Sequence, residues 1–123
     1  MRQRRLWLCI LIFFTSFTLE VSAREYKIIG EIKDETYLKF KRELERTEKK
    51  PIARVILDSS GGAFFPAMAI GQLIHEHGLD VEVRKLCASA CANYLFLAGK
   101  TKYLNRRSLL IYHGGMQQDN LFQ

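Results

Sequence analysis

The sequence lacks an apolar run long enough to span a membrane. Its longest, Leu6 to Leu19, falls short of the 18 or so residues a spanning helix needs, and Thr15, Ser16 and Thr18 interrupt it. There is no internal repeat and no low-complexity linker, which excludes repeat arrays and leaves room for one small domain. No second Cys/His pair of suitable spacing accompanies Cys87 and Cys91, so a zinc site has too few ligands. The glycine pair Gly61-Gly62 is not followed by the lysine and Ser/Thr of a phosphate-binding loop. The basic excess, +6 over 123 residues, comes without aromatic interleaving or a nucleic-acid motif. It reads as a solvated surface rather than a nucleic-acid interface.

What is present begins with a leader. Arg2, Arg4 and Arg5 form a basic n-region, Leu6 to Leu19 an apolar h-region, and Val21-Ser22-Ala23 a small-residue cleavage site. Residues 1–23 are therefore expected to be a signal peptide, with an uncleaved membrane anchor as the alternative. Export, to the periplasm or the extracellular space, follows from the first reading. The remaining residues, 24–123, carry a net charge of about +4 and can bury one modest core. In an oxidising compartment Cys87 and Cys91 could be bridged. Four residues apart, they would need a non-helical turn between them to reach disulfide geometry, and two buried thiols are the alternative.

From Tyr26 onward strand and helix patterns alternate. Tyr26 to Ile32 reads as a strand broken by Gly30, and Asp34 as the cap of a helix over residues 35–49 that Pro51 ends. Tyr37, Leu38, Phe40 and Leu44 supply that helix with an apolar face. Arg54 to Leu57 is the nearly continuous apolar run of a strand buried on both faces. Pro66 suits the first turn of a second helix, in which Ala67, Ile70, Leu73 and Ile74 recur at helical spacing, and Gly78 suits its C′ position. A strand over Leu79 to Lys85 leads to a turn and buried helix within Cys87 to Gly99. Short strands follow at Tyr103-Leu104 and Ser108 to Tyr112. The alternation predicts an α/β fold with a largely parallel sheet.

Three places could carry chemistry. Ser60-Gly61-Gly62 joins a buried strand to a helix, where backbone N–H groups can face an anion or an oxyanion; an ordinary tight turn would look the same. Ser89, between Ala88 and Ala90, sits at a strand-to-helix turn and suits either a nucleophile or a helix N-cap. His113 closes an apolar strand before Gly114-Gly115, the position of a general base or of a histidine bonded to backbone. His75 and His77, flanking Glu76 near a helix end, are accounted for by the helix dipole.

Taken in order, Asp58-Ser59-Ser60-Gly61-Gly62, Ser89 in its Ala-Ser-Ala-Cys context and Ile111-Tyr112-His113 resemble the ClpP/crotonase superfamily. They are most similar to exported relatives of the Clp protease proteolytic subunit. Ile28 to Ile32 resembles that family's first strand, and the likeness runs from about Tyr26 to Gly115, nearly all of the exported part. It implies a spiral of β-β-α units, with Ser89 as nucleophile, His113 as base, and the N–H groups of Gly61 or Gly62 and of Ala90 as an oxyanion hole. It also implies a peptide or protein substrate, no cofactor or metal, and assembly into homo-oligomers. Ser60 stands where the family has proline, and Ser89 to Gly99 is one residue longer than in the Clp subunit.

The family's orienting aspartate lies well beyond the histidine, whereas this chain has only Asp119 there. On that likeness the chain reads as a fragment, a truncated product or a degenerate member, incomplete at its C-terminal end. Two other functions remain open: a non-catalytic binding or scaffold protein on the same fold, and a crotonase-like acyl-thioester enzyme.

Overall fold

The computed structural model describes residues 23–46 and 50–114. The expected leader, apart from Ala23, and Asp119 lie outside the described residues.

The chain is mixed α/β, with a wholly parallel sheet. β1 (Arg24–Ile29), β2 (Ile52–Ser59), β3 (Asp80–Ala88) and β4 (Lys102–Leu104) are neighbours in that order, and β5 (Leu109–Ile111) also pairs with β3. Two helices, α1 (Asp34–Glu45) and α2 (Phe64–Glu76), connect the first three strands, and a π-helix (Cys91–Phe96) follows β3.

Alternation sorts the strand residues onto two faces. Tyr26 and Ile28 of β1, Val55 and Leu57 of β2, and Val81 and Val83 of β3 belong to one core, packed with Phe40, Ala67, Ile70 and Ile74 of the helices. The opposite face carries charge. Arg84 pairs with Glu25 and Glu82 at 3.0 Å each, Arg54 pairs with Glu82 at 3.0 Å, and the Arg54 guanidinium lies 4.4 Å from the Tyr103 ring centroid. Ile56, which shares that face, is nevertheless buried; long paired side chains can cover apolar surface in this way.

Several boundaries differ from the sequence expectation. β1 ends at Ile29, and Ile32 makes a separate bridge to Gly62. The cap of α1 is Lys33, whose N–H donates to Thr36 Oγ1 at 3.1 Å; Asp34 is instead the first helical residue, where its charge suits the dipole. α1 also stops at Glu45 rather than at residue 49, with Arg46 already extended. Leu38 is exposed, because the buried stripe of α1 runs through Tyr37, Phe40 and Leu44.

β3 differs most, because it continues through Cys87 and Ala88. Its register against β2 steps from Leu57↔Val83 to Ser59↔Cys87, so two extra residues bulge out of β3. The same irregularity divides its other edge: Val81 to Val83 pair with β4, and Leu86 to Ala88 pair with β5. Between them the Val83 carbonyl accepts the Ser108 hydroxyl at 2.7 Å. The bulge thus sets the end of β3 beside the end of β5, which is where the candidate site forms.

Candidate active site

The candidate residues stand at the carboxyl ends of β2, β3 and β5, the end at which open parallel sheets receive ligands. Each is delivered by a different local device.

After β2 the chain turns through Gly61 and Gly62, at φ of 103° and 149°. A Cβ on Gly61 would lie 2.8 Å from both the Ala88 carbonyl oxygen and Ser89 Cβ, and 3.1 Å from the Ala90 nitrogen. A Cβ on Gly62 would meet the Ile32 carbonyl oxygen at 2.3 Å. Only glycine allows both the angles and the approach. The turn is held by Ile32 N–H donating to Gly61 O at 2.9 Å and Ala63 N–H donating to Ile32 O at 2.8 Å. The buried Ser59 hydroxyl accepts the Gly61 N–H at 3.1 Å.

After β3 comes Ser89, the one non-glycine residue at positive φ among the described residues, at 56°. An L-residue there costs about 1–2 kcal/mol, so the surroundings must hold it. Three contacts do so. The Ser89 N–H donates to Ile111 O of β5 at 2.9 Å, and its carbonyl accepts the Asn93 N–H at 2.9 Å. Cys87 and Cys91 are joined by a disulfide that closes around the turn, with their Cα atoms 5.3 Å apart and both side chains fully buried. The left-handed residue between them is the non-helical turn such a bridge requires.

The helix that follows winds as a π-helix, whose wider turn accommodates one more residue than an α-helical one. Cys91, Ala92, Leu95 and Phe96 face the core. Tyr94 meets Phe64 of α2 edge-on at 5.2 Å, linking the helix after Ser89 to the element after the glycine turn.

His113 follows β5, and its Nε2 is hydrogen-bonded to Ser89 Oγ. Its Nδ1 faces the Gly114 carbonyl oxygen at 2.7 Å. That oxygen can only accept, so Nδ1 carries the proton and Nε2 is left to accept the serine hydroxyl. Among the described residues, no carboxylate pairs with the imidazole.

The expected oxyanion donors are not equivalent. The Gly61 N–H is occupied by Ser59, whereas the N–H groups of Gly62 and Ala90 have no acceptor among the described residues. Serine, histidine and two backbone donors with no acceptor among the described residues therefore stand where three strands end. Two supporting residues escaped the sequence reading. Ser59 offered a weak signal, a hydroxyl two residues before a glycine turn. Asn93 offered a better one, a polar side chain on an otherwise apolar helix.

No group of three or more metal-ligating side chains is close enough to hold an ion among the described residues. No helix among them is long and apolar enough to cross a membrane. In comparisons with known proteins, no family model and no curated protein matches the chain.

Proposed function

We propose that this protein is an exported serine hydrolase, acting on peptide bonds with Ser89 as nucleophile and His113 as base, on a ClpP/crotonase-like spiral fold. The observation that carries the reading is the hydrogen bond from Ser89 Oγ to His113 Nε2, made by a serine at a left-handed turn at the carboxyl end of a parallel sheet. An ordinary helix cap requires neither the backbone angle nor the imidazole. The Cys87–Cys91 bridge supports export, since such bridges persist in oxidising compartments.

In this mechanism Ser89 Oγ attacks the scissile carbonyl carbon while its proton passes to His113 Nε2. The carbonyl oxygen becomes an oxyanion and accepts hydrogen bonds from the Gly62 and Ala90 N–H groups. Collapse breaks the C–N bond, and the amine leaves with the proton from Nε2. Water then adds to the acyl-serine with the same base, releasing the acid and restoring the hydroxyl. The Gly114 carbonyl holds Nδ1–H throughout and stabilises the imidazolium less than a carboxylate would.

That last feature favours a second reading, in which the same pocket binds a peptide without cleaving it. A fluorophosphonate probe separates the two. Covalent labelling of the folded protein, abolished in Ser89→Ala and His113→Ala, is expected of the hydrolase. A folded protein that takes up no label but binds peptides would establish the binding role instead.

A further inference from the structure

We infer that Asn93 is the positioning residue of this site, tying the base to the nucleophile; this rests on the Ser89–His113 reading above. Its main-chain N–H donates to the Ser89 carbonyl at 2.9 Å, and its side-chain Nδ2 donates to the His113 carbonyl at 2.8 Å. One residue therefore holds the backbone of both reacting partners.

The need for such a tie follows from where β5 ends. Its last ladder residue is Ile111, whose carbonyl accepts the Ser89 N–H. His113 lies two residues further on, is exposed, and has left the sheet. Among the described residues, the Asn93 amide is the one donor from outside residues 112–114 that binds their main chain. The remaining contact of the ring, through Nδ1, goes to Gly114, the next residue along the same unpaired segment. That contact selects the tautomer but cannot anchor the ring to anything beyond its own segment. Asn93 can, because its other end is built into the first turn of the nucleophile's helix.

The amide suits this task in both chemistry and reach. A carbonyl oxygen can be held only by a donor, which Asn supplies and Asp does not. The side chain does not contact the reacting atoms, so it acts on the rate through the placement of the imidazole. Misplacing a reacting group by about 1 Å costs up to about 100-fold in rate.

The test uses the folded, exported chain and the fluorophosphonate probe at increasing concentration. Asn93→Ala and Asn93→Asp are each expected to slow the labelling rate at saturation by about 10- to 100-fold, with the half-saturating probe concentration unchanged. Both should keep a cooperative melt, and Asp, which preserves the shape, guards against misfolding in Ala. In parallel, ¹⁵N NMR of the His113 ring should show loss of the Nε2 hydrogen bond to Ser89 in both variants. Variants that label as fast as the wild type, while Ser89→Ala does not label, overturn the positioning role and leave the hydrolase standing. If the folded wild type does not label, the hydrolase reading fails and the ring spectrum decides. Loss of that Nε2 hydrogen bond in the variants then supports the tie, and its retention overturns it.

Discussion

Gly61 packs directly against Ser89: a methyl group on Gly61 would sit 2.8 Å from Ser89 Cβ. The glycine turn after β2 is thus a wall of the Ser89 turn after β3. Two stretches of sequence that lie far apart form one surface, and the predictions below follow from that closeness and from what restrains it.

Gly61→Ala should disturb both turns together. The new methyl would meet the Ala88 carbonyl, which is backbone and cannot swing aside, at a φ of 103° that suits no L-residue. A loss of more than about 1 kcal/mol is expected, with slower labelling of Ser89. Chemical denaturation and probe kinetics measure the two effects. A variant as stable and as reactive as the wild type would contradict the packing described.

At position 89 the usual order of alanine and glycine should reverse. In most settings Gly is less stable than Ala, but φ is 56° here. Ser89→Gly should therefore be more stable than Ser89→Ala by about 1 kcal/mol, and neither should label. Equilibrium unfolding of the two inactive variants is the measurement.

Reducing the Cys87–Cys91 bridge should loosen the turn it encloses. For a loop this short, chain entropy attributes about 2 kcal/mol to the cross-link. Thermal melts with and without a phosphine reductant should show that loss. Labelling should slow as well, because Ser89 would no longer be held between two tethered cysteines. A reduced protein with the same melting temperature would show the tether to be redundant.

The charged face of the sheet predicts an acid limb. Hydrogen bonding from Arg84, with Arg54 on the other oxygen, holds the Glu82 carboxyl below the ordinary glutamate range, against the opposing effect of burial. A carboxyl whose pKa is lowered by folding stabilises the protein above its unfolded value, about 4.3. That contribution is lost as pH falls through the depressed folded value. Glu82→Gln should be less stable at neutral pH and flatter below about pH 4.3, read as melting temperature against pH.

How much of this was legible in the sequence differs from element to element. The apolar run at Arg54 to Leu57 and the helical spacing of Ala67, Ile70 and Ile74 announced a parallel α/β core, because burial imposes its periodicity on the residues themselves. Gly78, at a φ of 59°, closes α2 as its position suggested. Ser89, His113 and the glycine pair could be singled out one by one, each with an ordinary structural alternative beside it. Their meeting could not be read in this way.

What brought them together is tertiary. The bulge in β3 depends on how that strand registers against β2, and it decides that Ser89 reaches β5 at all. Among the described residues, Gly62 rather than Gly61 is left without an acceptor because of a single hydroxyl, Ser59, whose place two residues before the glycine was only a weak signal. Asn93 likewise gains its role only when the end of β5 passes its side chain. Sequence by itself determined the order of the elements and the candidate groups, because propensity and burial act locally. Their mutual distances depend on strand register and on hydrogen bonds between residues remote in the chain, and only the folded sheet sets those.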